Sequence, residues 1–182
     1  NTYTGATTIS GGSIKAAANN VIAASSSLTL KDGTSFDLDG TTQTVKNLTA
    51  TDSAGTAQGN LGVNGNLTLN NTSNTEYNGE IAGSGAITKN GTGTLTLSGT
   101  SSYTGTTTVS AGLLKLTNAE ATGSSSVTVN TSTAGTGLVL ALSSAVYDNN
   151  ISGTGLVTIC GTVVTLAGMQ PLCGTRTLPC PS

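Results

Sequence analysis

The sequence predicts an all-β protein built as a stacked β-solenoid. Three observations carry this prediction: a composition dominated by glycine and small polar residues, short stretches that alternate apolar with polar residues, and longer segments that repeat. Thr, Gly, Ser and Asn together make up 98 of the 182 residues. Such a composition supplies few large side chains for an ordinary globular core, whereas β-branched and small residues suit narrow, repetitive strands.

The strand prediction rests on apolar residues placed two positions apart, which is the period of a β-strand. We expect about fifteen strands of 3–6 residues, each with one Leu or Val pointing inward. Clusters such as 31–33, 39–40 and 90–91 contain Gly, Asn or Asp and predict the intervening turns. The alternating stretches include 27–30, 35–38, 66–69, 94–97, 114–116 and 126–129.

Longer repeats favour stacking over other β architectures. Residues 3–15 match residues 103–115 without a gap, and eight of the thirteen positions are identical. A second match pairs residues 81–88 with residues 151–158. Repeated strand–turn units bury their apolar faces only against the next unit, which predicts a solenoid. A β-sandwich would accept the same composition, but its strands usually lack repeated identical turns.

The inward positions follow from the alternation. A solenoid turn places every second residue of a strand in a narrow interior and leaves the residues between them at the surface. The side chains predicted to point inward are Leu95, Leu97, Val109, Leu114, Leu116, Val127 and Val129.

The charge pattern argues against several functions. The net charge is −2 and the six basic residues are spread along the chain, so nucleic-acid binding is not expected. No apolar run approaches the roughly 18 residues of a membrane-spanning helix, so direct membrane insertion is not expected. Histidine is absent, which excludes a Ser-His-Asp triad.

Two acidic pairs are the candidates for a binding or catalytic site. Asp37 and Asp39 would share one face of a strand, but calcium wants six to eight oxygen ligands, so we interpret them as turn residues. Glu76 and Glu80 flank Tyr77, and we interpret them as solvated loop charges. We therefore assign no catalytic, cofactor-binding or metal-binding residue and expect no cofactor.

Lysine and cysteine chemistry is also not expected. A catalytic lysine needs a desolvated setting, and none of the five lysines has a sequence context that suggests one. The three cysteines, Cys160, Cys173 and Cys180, form no Cys-x-x-Cys pair. They allow one disulfide and one free thiol, or three unpaired thiols, and we favour the unpaired interpretation. The chain is not expected to be an enzyme.

The threonines suggest an alternative function. Regular outward Thr arrays on solenoids are similar to the surfaces of ice-binding proteins in composition and spacing. The ordinary explanation is that a β-branched Thr suits an exposed strand position. The residues that would form such an array are Thr7, Thr8, Thr94, Thr96 and residues 106–108.

One stretch carries a resemblance to a known family. Residues 81–99 run from Ile-Ala-Gly-Ser-Gly to Lys-Asn-Gly-Thr-Gly-Thr-Leu-Thr-Leu-Ser-Gly, and residues 102–114 continue with Ser-Tyr-Thr-Gly-Thr-Thr-Thr-Val. This pattern resembles the autotransporter-associated β-strand repeat of type V secreted passenger domains. Residues 1–15 resemble its second half and residues 151–168 its first half, while the chain departs from the pattern at its end.

The resemblance implies a right-handed parallel β-helix and a non-catalytic structural or adhesive segment. Its location would be the bacterial surface or the extracellular space, and its repeats would aid secretion and folding. The implied partners are the rest of the passenger, a C-terminal outer-membrane β-barrel, and a host-cell surface, matrix or self-association partner. On this interpretation residues 1–168 are a fragment of a longer solenoid, and residues 169–182 are an atypical tail or cap.

Overall fold

The computed structural model describes residues 2–23, 25–51, 59–131, 133–161 and 164–167. These residues form twenty strands of two to five residues and no helix. The strands are β1 Thr7–Ile9, β2 Ser13–Lys15, β3 Leu28–Lys31, β4 Ser35–Asp37, β5 Gln43–Val45, β6 Leu48–Thr51, β7 Asn60–Gly62, β8 Leu67–Asn70, β9 Thr75–Tyr77, β10 Ile81–Ala82, β11 Ile87–Asn90, β12 Thr94–Leu97, β13 Thr107–Val109, β14 Leu113–Leu116, β15 Val127–Val129, β16 Gly137–Ala141, β17 Ala145–Tyr147, β18 Ile151–Gly153, β19 Val157–Cys160 and β20 Val164–Leu166.

Parallel pairing stacks these strands into a β-solenoid of about 7 turns, which confirms the predicted fold class. The first face contains β1, β3 and β6, and it continues through β9, β12, β14, β16 and β19 because β6 packs alongside β9. The second face contains β2, β4, β7 and β10, with β17 and β20 further along. The third face contains β5, β8, β11, β13, β15 and β18.

The interior consists of columns of side chains that repeat from turn to turn. On the third face, Leu67, Ile87 and Val127 lie in one column and are all buried. The seven side chains predicted to point inward are each no more than 4% exposed, so that prediction is confirmed. Burying a side chain of this kind contributes roughly 1.5–3 kcal/mol, and the stacked columns supply that burial.

Two details of the strand prediction are wrong. The described residues form twenty strands rather than about fifteen, because strands such as Ile81–Ala82 and Ala145–Tyr147 are too short to show a clear alternation. Half of the strands also bury two or more side chains rather than one, and the three-residue pattern buried–outward–buried recurs on the third face. The interior is therefore denser than the sequence suggests.

The repeats do not occupy equivalent places around the solenoid. Thr7 lies on the first face, whereas Thr107, its counterpart in the repeat, lies on the third face. In the same way, Ile81 lies on the second face and Ile151 on the third face. The repeat is therefore a local unit of strand, bend and strand, and the length of the intervening turns sets the face on which each copy falls.

The predicted turn clusters are confirmed where glycine provides a left-handed backbone. Gly33, Gly40 and Gly91 have φ angles of 68°, 78° and 95°, and Asp39 also has a positive φ. Tail residues 169–182 lie outside the described residues, as do Cys173 and Cys180 within them.

Candidate functional site

The third face presents a row of hydroxyl groups, which we call the hydroxyl row. Each member lies at or next to the middle of its strand and is half-buried. Each is also in register with the member on the next strand. Parallel strands place such residues about 4.8 Å apart. The members are Thr44, Thr68, Thr88, Thr108, Thr128 and Ser152.

The threonine array expected from the sequence does not form as a single surface. Thr8 and Thr96 lie on the first face, whereas Thr108 lies on the third face. Thr107 is only 1% exposed, because its side chain points into the interior. Of the threonines expected to form the array, only Thr108 belongs to the hydroxyl row.

Asp37 and Asp39 form a turn, as interpreted from the sequence. The strand ends at Asp37, and Asp37 Oδ1 accepts a hydrogen bond from the backbone N–H of Asp39 at 2.9 Å. Asp39 also forms an ion pair with Lys15 at 2.9 Å. The expectation that both carboxylates share one strand face is wrong, because Asp39 has a left-handed backbone beyond the strand.

Glu76 and Glu80 are both exposed and each accepts a hydrogen bond from a serine. Ser98 Oγ donates to Glu76 Oε1 at 2.7 Å, and Ser102 Oγ donates to Glu80 Oε1 at 2.8 Å. Glu76 lies within strand β9 rather than in a loop. The interpretation as solvated charges is confirmed, while the assignment of Glu76 to a loop is wrong.

The structure brings Asp37 together with Glu80 instead of with its sequence neighbour. Both line a depression of about 320 Å³ on the second face, together with Asn64. Gly62, which has no side chain beyond hydrogen, and Ala82 also line it, and they leave room between the polar groups. The depression offers hydrogen-bond acceptors to a ligand.

Tyrosine hydroxyl groups make the polar contacts between turns that sequence reasoning missed. Tyr103 is fully buried, and its hydroxyl lies 2.6 Å from Thr107 Oγ1. Thr107 Oγ1 in turn lies 2.8 Å from Ser125 Oγ on the following turn. Burial raises the pKa of Tyr103 to about 12, so its hydroxyl keeps its proton at neutral pH.

The other buried tyrosines also connect turns. The Tyr77 hydroxyl donates to the carbonyl oxygen of Gly59 at 2.6 Å, and the Tyr147 hydroxyl lies 2.8 Å from Thr122 Oγ1. Burial raises the pKa of both hydroxyls. The signal available in the sequence was the recurrence of Tyr, Thr and Ser at the same spacing in both copies of the repeat.

Lys89 corrects the expectation that no lysine is desolvated. Its side chain is fully buried in the interior column between Leu69 and Val109. Nζ donates to the carbonyl oxygens of Gly91 at 2.9 Å and Ala111 at 3.2 Å. Desolvation lowers the pKa of Lys89 to about 8. The signal available in the sequence is the strand alternation, which puts residue 89 on the same side of β11 as Ile87.

Cys160 corrects the cysteine interpretation, because it is disulfide-bonded. It is also buried, at the end of strand β19. The interpretation of three unpaired thiols is therefore wrong, and the alternative of one disulfide is the one that the structure supports. The other two cysteines, Cys173 and Cys180, lie outside the described residues.

The described part of the chain offers neither a metal site nor a membrane-spanning helix. No group of three or more Cys, Asp or Glu side chains there is placed to hold a metal ion. That part of the chain also contains no helix long and apolar enough to cross a membrane.

The stacked parallel turns and their inter-turn contacts define a β-solenoid repeat protein. Residues 1–16 and 87–116 match the family model of the passenger-associated-transport-repeat. The match supports the predicted resemblance to autotransporter passenger repeats, and it covers 46 of the 182 residues. Residues 151–168 lie outside the match. Comparisons with curated proteins and with solved structures found no match.

Proposed function

We propose that this chain is a non-catalytic segment of an autotransporter passenger that acts at the bacterial surface or after release from it. The observation that carries the proposal is the match of two segments to the passenger transport repeat within a stacked solenoid. About seven turns at about 4.8 Å per turn make a rod roughly 34 Å long. Such a rod suits a stalk that holds other parts of a passenger away from the cell.

The absence of histidine in the chain supports a non-catalytic role. The one desolvated lysine does not argue for catalysis, because Lys89 Nζ is directed at two backbone carbonyl oxygens inside the solenoid. A substrate in the depression beside Asp37 and Glu80 would have no access to that ammonium group, since Lys89 is fully buried.

The proposed partners are the remainder of the passenger and the outer-membrane β-barrel of its own polypeptide. The proposed adhesive role would use the uncharged hydroxyl row against a host-cell surface, a matrix or a second copy of the chain. Binding of the purified chain to immobilised matrix proteins, to cells and to itself distinguishes these partners. Absence of all three interactions would leave the structural role alone.

Surface location is tested with the full-length gene product in its native cells. Antibody and protease should reach residues 1–182 on intact cells, while a cytoplasmic marker protein stays protected. Access to residues 1–182 only after lysis would contradict the proposed location.

The hydroxyl row favours ice binding as a second candidate function. Its members lie in register on six successive strands of one face, so their spacing is regular. Thermal hysteresis should be present in the purified chain and should be lost in T88K and T108K. Thr96→Lys is the matched control, because Thr96 is half-buried like the row members but lies on the first face. No thermal hysteresis at millimolar protein would remove this candidate.

A further inference from the structure

We propose that the transport repeat is an inter-turn latch that selects the register in which successive turns stack. The latch consists of Tyr103, Thr107 and Ser125, whose hydroxyl groups form a hydrogen-bonded chain across two turns. The inference deepens the proposed role of the repeat in folding after export, and its link to export rests on that proposed function.

The geometry of the latch connects residues that are distant in the sequence. Thr107 and Ser125 are 18 residues apart, which is close to one solenoid turn, and their side-chain oxygens lie 2.8 Å apart. All three latch residues are almost completely buried, so water does not compete for their hydroxyl groups. Ser125 Oγ also donates to the carbonyl oxygen of Ser126 at 3.1 Å.

The same arrangement occurs a second time in the chain. The Tyr3 hydroxyl contacts Thr7 Oγ1, and Thr7 Oγ1 lies 2.8 Å from Ser25 Oγ. Each residue is 100 positions before its counterpart in the latch. Because the two copies lie on different faces of the solenoid, the hydrogen-bonded chain accompanies the repeat rather than one position in the cross-section. The repeat supplies the tyrosine and the threonine, and the following turn supplies the serine.

A latch of this kind discriminates between registers. A slip of two residues keeps every side chain on its own side of the strand, so regular columns of Thr, Leu and Val discriminate poorly between such registers. The same slip would move Ser125 by about 7 Å along the strand, out of hydrogen-bond reach of Thr107, and would leave buried hydroxyl groups without a partner. The latch therefore supplies a specific contact where the repetitive sequence is least specific.

Lys89 adds a second contact of the same type within the matched repeat. Its Nζ reaches Ala111, which lies 22 residues later on the next turn. Both contacts form only after the chain has completed the following turn. Lys89 thus checks the placement of the turn that contains Ala111, and the latch checks the placement of the turn that follows it.

The test is a double-mutant cycle on the purified 182-residue chain with its disulfide intact. Thr107→Val and Ser125→Ala should each raise the equilibrium constant for unfolding roughly fivefold to a hundredfold. The double variant should show clearly less than the product of the two effects, because each change already breaks the same contact. Tyr103→Phe is the conservative third variant, since it keeps the ring.

The matched controls are Thr108→Val and Ser126→Ala, which change neighbouring hydroxyl groups that are half-buried and lie outside the latch. Each control should change the equilibrium constant for unfolding only slightly, and the double control variant should show the product of the two changes. If the changes in unfolding free energy of Thr107→Val and Ser125→Ala simply add in the double variant, the latch is overturned.

Register is read out by hydrogen exchange after refolding from denaturant. Peptides covering residues 107–129 should show a second, less protected population in Ser125→Ala and Tyr103→Phe, but a single population in Ser126→Ala. A single population in every variant would overturn register selection, even if the cycle is coupled.

The link to export is measured separately, as the amount of each variant on the surface of cells that express the full-length gene product. One outcome is that the double-mutant cycle shows coupling and hydrogen exchange shows two populations while the amount of each variant on the cell surface is unchanged. That combination would support the latch and contradict its role in export. An additive cycle would overturn the latch whatever the location of the protein.

Discussion

The two copies of the repeat, residues 3–15 and residues 103–115, share eight of thirteen residues but lie in different surroundings. Tyr103 is fully buried, whereas Tyr3 is 37% exposed. Leu114 is 1% exposed, whereas Ile14, its counterpart, is 44% exposed. The second copy lies between described turns on both sides, and the first copy has a described turn on one side only. Burial in a solenoid is therefore a property of the neighbouring turn rather than of the motif.

The largest expected effect comes from placing a carboxylate at equivalent positions of the two copies. Leu114→Asp puts an unpaired charge between Leu95 and Leu138 and should destabilise the chain by about 3–5 kcal/mol. Ile14→Asp should cost far less, because water reaches that side chain. Denaturant unfolding of both variants measures the difference. Equal shifts of the unfolding midpoint would refute the contrast between the copies.

A methyl group at the shared glycine should give the next largest effect. A Cβ at Gly105 would overlap the carbonyl oxygen of Gly85 on the adjacent turn, whereas a Cβ at Gly5 meets nothing within 4 Å. Gly105→Ala should therefore cost about 1–3 kcal/mol through strain. Gly5→Ala should be neutral or slightly stabilising in thermal unfolding of the same chain. A large loss at Gly5 would show that this end of the solenoid is covered.

The pH dependence of stability should distinguish the buried Lys89 from the exposed Lys15. The pKa of Lys89 is lowered to about 8 in the folded state, so below pH 8 the folded chain carries the full cost of a buried charge. Between about pH 8 and 10 the unfolded state binds more protons, and stability should rise by about 1–3 kcal/mol. Unfolding free energies at intervals of half a pH unit measure this rise.

Lys89→Met should abolish the rise in stability between about pH 8 and 10. Lys15→Met is the matched control and should leave it in place, because the Asp39 carboxylate raises the pKa of Lys15 and moves its effect above this range. Above about pH 10, ionisation of unfolded tyrosine should lower stability again, since burial raises the pKa of Tyr103 to about 12. A rise that persists in Lys89→Met would assign it to another group.

The smallest expected effect is the loss of one hydroxyl group from each copy. Tyr103→Phe removes the contact between the tyrosine hydroxyl and Thr107, which keeps only Ser125 as a partner, and should cost about 1 kcal/mol. Tyr3→Phe removes the corresponding contact at a solvated position. It should lower the free energy of unfolding by only about 0.3 kcal/mol. Thermal unfolding monitored by circular dichroism measures both. A larger loss at Tyr3 than at Tyr103 would reverse the order of the two copies.

Some features of the fold could be predicted from local sequence alone. The alternation in stretches such as Thr94–Leu97 determines which side chains lie on the same side of a strand, so Leu95 and Leu97 were correctly predicted to be buried. The Gly-containing turns follow from backbone sterics that act within a few residues. Stacking of the turns follows because a single turn of small strands buries too little apolar surface alone.

Other features depend on the next turn and could not be predicted in this way. The repeat of residues 3–15 and 103–115 does not reveal that Thr7 and Thr107 lie on different faces, because the lengths of all the turns between them decide that phase. The disulfide at Cys160 likewise depends on a contact made in three dimensions. The hydroxyl row likewise forms only because neighbouring strands pair in a register that aligns their threonines, which no single strand reveals.

The sequence by itself determined that this protein is a β-solenoid with two segments that match a passenger-associated-transport-repeat, because alternation, turn residues and the repeat motif all act over short distances. Only the tertiary structure decided which polar groups lie inside it. Lys89 remains buried because carbonyl oxygens of two turns surround its ammonium group. Tyr103 is buried while Tyr3 is not because stacking covers one and leaves the other in contact with water.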